Sequence, residues 1–292
     1  MRSAVLIVLF ALGSVGVVRA QDETPKQDKP KRPTSIDLRR YVAARQGVRM
    51  DRVRRNASGV TYSPKTKTLF VVCNGPTVIA ELTTDGATKR LIDLEGFADT
   101  EGIAHVDGDT FAVAEEGRRR ICLVTIGPQT KSVDYAGARK IQVDRATGGN
   151  KGLEGVAYDP AGKQFFGVKE KGPLRVYRVV MATDERKKPK VGLAWNQWRF
   201  RLGDLAGIHF HAPTGTLLIV SDESKCVVEC TVKGKPLGKL KLSRRSAGLT
   251  RDVPQPEGVT ADPAGTLYVV SEPNLLYIFT KRPTAQEKKP GK

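Results

Sequence analysis

The chain has 292 residues, with 49 lysines and arginines against 31 aspartates and glutamates, a net charge of +18. A balance this basic favours polyanions such as acidic lipid headgroups or anionic wall polymers. The basic residues are nevertheless scattered, at 52–55, 118–120, 187–190 and in the tail, with no aromatic interleaving, which argues against nucleic acid. A merely solubilising positive surface is the plainer alternative. Four cysteines with no CxxC pair give no support to zinc or thiol redox chemistry.

In chain order, residues 1–20 read as a signal peptide. Arg2 gives a positive start, residues 4–18 are apolar, and Val18-Arg19-Ala20 places small residues for cleavage after Ala20. The apolar run is short for a membrane span, so cleavage is expected rather than anchoring, and no later stretch approaches the ~20 residues a spanning helix needs. The remainder therefore reads as soluble and exported. Residues 21–34, rich in Gln, Asp, Lys and Pro, make a polar linker, and 282–292 a basic, disordered tail.

Between them a motif returns five times: Ser58-Gly59-Val60-Thr61-Tyr62, Glu101-Gly102-Ile103-Ala104-His105, Glu154-Gly155-Val156-Ala157-Tyr158, Ala206-Gly207-Ile208-His209-Phe210 and Glu257-Gly258-Val259-Thr260-Ala261. The spacings are 43, 53, 52 and 51 residues. Each copy leads to a turn and then to a β-branched and aromatic run, at 69–72, 110–113, 165–168, 217–220 and 267–270. A third run follows, as at 78–82 and 275–279. Most units add a fourth, at 90–94, 139–143, 198–202 and 239–242. Four short strands per unit make a propeller blade, so the expected fold is an all-β, five-bladed β-propeller over residues 35–281.

The last unit runs out after its third strand near Lys281, and the Ser35-Ile36-Asp37-Leu38 stretch resembles Leu91-Ile92-Asp93-Leu94. An N-terminal strand is therefore expected to close the final blade, from 35–38 or from within 39–55.

The first strand of a blade lines the central channel, so the residue opening each motif approaches the axis. This places Glu101, Glu154 and Glu257 around one tunnel, with Ser58 and Ala206 completing the ring. The antiparallel second strand returns to the same mouth, where Asn74, Glu115-Glu116, Glu170, Asp222-Glu223 and Glu272 form a second oxygen-bearing ring. Ionised carboxylates crowded together raise one another's pKa, and a cation offsets the repulsion. Oxygen ligands with no soft donor suit calcium. Neutralisation by Lys169, Lys171 or nearby arginines, or capping of backbone N–H groups, is the competing reading. The glycine after each opening residue permits close backbone approach.

The runs Ala98-Asp99-Thr100-Glu101-Gly102-Ile103, Asn150-Lys151-Gly152-Leu153-Glu154-Gly155, Lys169-Glu170-Lys171-Gly172-Pro173, Ser221-Asp222-Glu223-Ser224, Pro256-Glu257-Gly258-Val259 and Val270-Ser271-Glu272-Pro273-Asn274 resemble the SdiA-regulated, YjiK-like propeller family, over about residues 35–280. The resemblance implies a five-bladed propeller distantly similar to NHL-repeat proteins, a calcium site, an envelope location and no assigned catalysis. By motif correspondence the calcium ligands are Glu101, Glu154 and Glu257, with Glu170 and Glu272 behind them. Ser58 and Ala206 depart from the Glu-Gly pattern.

Other chemistry is thin. His209-Phe210-His211 lacks a third placed ligand, His105 occupies the position of Tyr62 and Tyr158 and reads as a packing residue, and Trp195 and Trp198 read as buried between blades. Two function classes stay open. One is a non-catalytic, monomeric binding platform in the periplasm or cell envelope, holding a protein, peptide or polyanion and touching an anionic membrane surface peripherally. The other is a calcium-dependent hydrolase of phosphate esters or lactones.

Overall fold

A computed structural model of the chain describes residues 34–144, 152–184, 186–196 and 201–283. The expected signal segment, nearly all of the linker and the tail beyond residue 283 lie outside them. Apart from a three-residue 3-10 turn at Leu38–Arg40, every regular element described is a β-strand, and among the described residues no helix is long and apolar enough to cross a membrane.

Five antiparallel blades follow in chain order. The first comprises Ala57–Ser63, Thr68–Asn74, Thr77–Leu82 and Thr88–Glu95. The second comprises Thr100–Asp107, Thr110–Glu115, Arg120–Thr125 and Arg139–Gln142. The third has Leu153–Asp159, Gln164–Lys169, Arg175–Val180 and Lys190–Asn196; the fourth has Gly207–His211, Thr216–Ser221, Cys226–Thr231 and Pro236–Lys241. The fifth joins Gln255–Ala261, Leu267–Glu272 and Leu275–Lys281 to the N-terminal strand Tyr41–Arg49. The second strands are buried on both faces and so read as continuous apolar runs, as in Leu217, Leu218, Ile219 and Val220. The outer strands alternate, because one face meets water.

Five apolar cores, one per blade junction, lock the ring. Phe70, Val72 and Ile79 of the first blade meet Ile103, Phe111 and Val113 of the second. Similar clusters join the second blade to the third, the third to the fourth and the fourth to the fifth. In the last, Tyr268, Val270 and Leu276 of the fifth blade pack on Val60, Leu69 and Val71 of the first. All four cysteines are buried and free of disulfides.

The closing strand comes from the second of the two expected stretches: Tyr41–Arg49 runs antiparallel to Leu275–Lys281, with Tyr41 opposite Lys281 and Arg49 opposite Leu275, and residues 35–38 do not join it. Residues 35 and 36 are held instead by Glu229 of the fourth blade, and Ile36 and Leu38 sink into the core between blades four and five. One strand expectation needs correction. The outer strand of the third blade is Lys190–Asn196 rather than 198–202, because 190–196 pairs directly with Arg175–Val180. Leu202 is buried against the third and fourth blades, and residues 197–200 lie outside those described. Unanticipated, Ser132–Asp134 adds a fifth, parallel strand to the first blade beside Asp93, Leu94 and Glu95.

Glu229 makes a testable clasp. Its fully buried carboxylate accepts from the Ile36 N–H at 2.9 Å, the Thr216 hydroxyl at 2.9 Å and the Ser35 hydroxyl at 2.6 Å. Removing it strands buried donors, each costing about 1–3 kcal/mol. Glu229→Ala is expected to lower the melting temperature and to open the chain near Ser35 to limited proteolysis.

Candidate metal centre

The centre of the channel is closed by backbone. A Cβ added at Gly59 would lie 2.9 Å from Gly102 Cα, one at Gly102 2.8 Å from Gly155 Cα, and one at Gly155 3.1 Å from Gly207 Cα. At Gly207 it would meet the Glu257 carbonyl oxygen at 2.3 Å, and at Gly258 it would return to Gly59 Cα at 3.0 Å. The five motif glycines thus form a contact ring that no side chain fits. It leaves a gap of about 10 Å³, at the lower limit for a single water.

The residue before each ring glycine is placed by a local irregularity. In four inner strands the pairing register slips between the residues flanking the motif opener: Ala57 and Gly59, Thr100 and Gly102, Leu153 and Gly155, Pro256 and Gly258. Ser58, Glu101, Glu154 and Glu257 are therefore the extra residues of β-bulges, a device that re-aims a side chain out of the ladder. In the fourth blade the strand begins at Gly207, and Ala206 only flanks it.

Above the ring lies a cavity of about 270 Å³, and all five carboxylates expected from the repeat line it: Glu101, Glu154 and Glu257 of the inner ring, Glu170 and Glu272 of the outer. Glu116, Asp204, Asp222 and Glu223 join them. Lys171 is the sole cation on the wall among the described residues, with Nζ 2.6 Å from Glu223 Oε1 and 3.2 Å from Glu170 Oε1. The competing readings are thus partly realised, since Glu170 has a lysine partner. Lys169 donates to the carbonyls of Lys171 and Gly172. Glu115 is fully buried, accepting from the Ala98 N–H at 3.0 Å and from Arg118 at 2.7 Å.

The tightest grouping is Asp99, Glu101 and Glu116, which bring one oxygen each to within 4.8 Å of one another. Asn74 Nδ2 donates to both Asp99 at 2.9 Å and Glu101 at 2.7 Å, and Glu116 accepts from the Gly152 N–H at 3.0 Å. Oxygens 2.3–2.6 Å from a calcium ion stand at most about 5 Å apart, so the triad matches the span of one coordination shell. The all-oxygen donor set fits a hard cation.

Electrostatics follow the crowding. Burial, reinforced by Asp99 and Glu116 and opposed by the Ser58 hydroxyl, pushes Glu101 up to about 7. Burial, with Asp222 and Glu272 next, pushes Glu257 up to about 8. Glu154 and Glu116 are hydrogen-bonded to each other, and each is raised, first by burial and then by neighbouring carboxylates. Without a cation the site holds protons near neutrality.

Asp99 and Asp204 were not singled out by the repeat, whereas Glu116 stands in its second ring without having been named a ligand. The signal lies two residues before each motif opener, where Asn56, Asp99, Asp204 and Gln255 carry oxygen in four copies and Gly152 interrupts the series. Asp204 is committed to the fold: its carboxylate accepts from the Ser221 hydroxyl and from the Asp222 and Glu223 N–H groups at 3.1 Å.

Fold and site together define a five-bladed propeller with a closed waist and an acidic mouth. A family model described as SdiA-regulated matches residues 33–280, and the chain belongs to that family. Among solved structures it resembles the luciferin-regenerating enzyme, with a TM-score of 0.50 and 13% identity over 80% of this chain and 94% of that one. A protein of unknown function from Bacteroides thetaiotaomicron gives 0.50 and 10% identity over 75% of this chain and 58% of that one. A chain of a nidogen–laminin complex gives 0.49 and 16% over 75% and 73%. At these identities the likeness is one of fold alone.

Proposed function

We propose that this protein is an exported, non-catalytic binding module of the periplasm or cell envelope, monomeric, whose acidic channel mouth holds a calcium ion. The observation that carries the reading is the convergence of two carboxylate rings on one cavity in a chain of net charge +18, where among the described residues Lys171 is the one cation in the wall and Lys225 pairs with Asp222 from behind it. Asp99, Glu101 and Glu116 would hold the ion, with Glu154 next to them and Glu257 and Glu272 across the mouth. The bound ion supplies the charge that the carboxylates lack and fixes the blade ends around the mouth. Export is supported by the pattern of residues 1–20. A protein, peptide or polyanion of the envelope, or the surface of an anionic membrane, matches the remaining positive charge.

A hydrolase would need a substrate-holding cation next to the metal. Lys171 is instead committed to two carboxylates, which favours the binding module. Melting in calcium and in chelator tests the ion. Calcium at a hundred times its dissociation constant adds about 2.7 kcal/mol, so the transition should rise. An identical transition in both contradicts the site. Calcium-dependent turnover of phosphate-ester or lactone substrates would replace the binding module with the hydrolase.

A further inference from the structure

The opposite mouth opens into a second cavity of about 370 Å³, on the far side of the glycine ring. Its wall is built from the position three residues after each ring glycine, occupied by Tyr62, His105, Tyr158, Phe210 and Ala261. Four of the five are aromatic, and Ala261 leaves room where a fifth ring would stand. Tyr62, His105 and Tyr158 are only half-buried, so part of each ring faces the cavity. The rings are backed by others: Tyr158 lies 4.8 Å from Phe165, and Phe210 stacks on Phe166 at 6.5 Å between centroids.

The charge of this wall runs against that of the molecule. No lysine or arginine lines it among the described residues, although the chain has 49, whereas Asp107 and Asp262 do. Each carboxylate lies within electrostatic reach of a phenol of the wall: burial and then Asp262 raise Tyr62, while burial and then Asp107 raise Tyr158. Asp262 is held in place by the Thr266 N–H at 2.8 Å and the Tyr268 hydroxyl at 2.9 Å. His209 and His211 also line the cavity, and burial depresses them to about 3 and about 4, so both are uncharged at neutral pH. An anion would meet two carboxylates in the lining, with Lys281, which also helps to lower His211, acting from outside it.

We infer that this cavity binds a small methylated ammonium cation over the faces of Tyr62, Tyr158 and Phe210, with Asp107 and Asp262 supplying the opposite charge. Aromatic faces attract a cation within about 6 Å of their centroids, most strongly when it is desolvated, and a methylated ammonium sheds water more readily than a primary one. The volume lies at the small end of ligand pockets, which suits a compact ligand. The site is independent of the acidic mouth, since the glycine ring stands between them.

The test is a calorimetric titration of the full-length protein at neutral pH with choline and, in parallel, with its uncharged isostere 3,3-dimethylbutan-1-ol. Saturable choline binding is expected, in calcium and in chelator alike, with the isostere about tenfold weaker, the ratio a desolvated cation–π contact supplies. Tyr158→Leu keeps the apolar bulk and removes the ring face, and should weaken choline about fivefold or more. Tyr62→Leu serves the same purpose should the first variant fail to fold. Glu154→Gln, at the other mouth, should leave choline binding unchanged. Phosphatidylcholine vesicles distinguish the source: co-sedimentation competed by choline assigns a lipid headgroup, and choline binding without co-sedimentation assigns a free solute. No choline binding, equal binding of the isostere, loss of binding in Glu154→Gln, or full binding in the folded leucine variants would overturn the inference.

Discussion

Gly207→Ala is expected to be among the most damaging single-methyl substitutions in this protein. The new Cβ would stand 2.3 Å from the Glu257 carbonyl oxygen and 3.0 Å from Val220 Cγ1. The oxygen belongs to the bulged backbone that aims Glu257, so relief requires moving the fifth inner strand away from the fourth. Overpacking of this kind costs about 1–3 kcal/mol and more where backbone must shift. At 2–4 °C per kcal/mol for a domain of this size, a fall of about 5–10 °C in melting temperature is expected. Gly192→Ala is the control, because a Cβ there meets nothing within 4 Å. Equal melting of the two variants would show that the waist is looser than the contact ring described.

The second large effect is a loss of stability with rising pH in chelator. Glu101 and Glu257 titrate at about 7 and about 8 in the folded chain, against 4.5 for an unperturbed glutamate. Their folded pKa values are raised, so the native state keeps protons that the unfolded chain has already released, and stability falls as pH climbs from 4.5 toward 8. At about 1.4 kcal/mol per pH unit between the two states, Glu101 alone accounts for roughly 3 kcal/mol. His209 and His211 act in the opposite sense, since their folded values lie below the ordinary 6.5 and their contribution is lost only as pH drops below that value. Denaturant melts between pH 7.5 and 8.5 therefore report chiefly on the carboxylates, Glu257 above all. The decline should appear in chelator and be suppressed by calcium, which binds the ionised form. A flat or rising profile in chelator would mean that the carboxylates are ionised without a counter-ion.

The blade count and the acidic mouth were legible because the motif repeats in sequence what the ring repeats in space. Glu101, Glu154 and Glu257 share one offset from their glycines, and that offset is a β-bulge which the glycine makes affordable. Harder to read were features without a periodic signature. Asp99 gains its role from the turn linking the first blade to the second, and the choice between Glu115 and Glu116, which the repeat leaves open, is made where one carboxylate is taken by Ala98 and Arg118 and its neighbour is left to the mouth. The 35–38 stretch resembles a strand because Ile36 and Leu38 alternate, yet that alternation serves burial beside Glu229. Residues 198–202 carry apolar residues in alternation, which reads as an outer strand, yet the strand that pairs with Arg175–Val180 is Lys190–Asn196.

Direct titration of calcium into metal-stripped protein at about pH 7.5 tests the central claim, since the carboxylates there lie close to their folded pKa values. The account predicts saturable binding with proton release, seen as a heat that changes with the buffer's ionisation enthalpy. It also predicts markedly weaker binding by Glu154→Gln, which keeps the side chain's shape and removes one charge from beside the ion. No uptake at millimolar calcium, or the same isotherm for Glu154→Gln as for the unmutated chain, would contradict it and leave the two acidic rings as a feature of the fold alone.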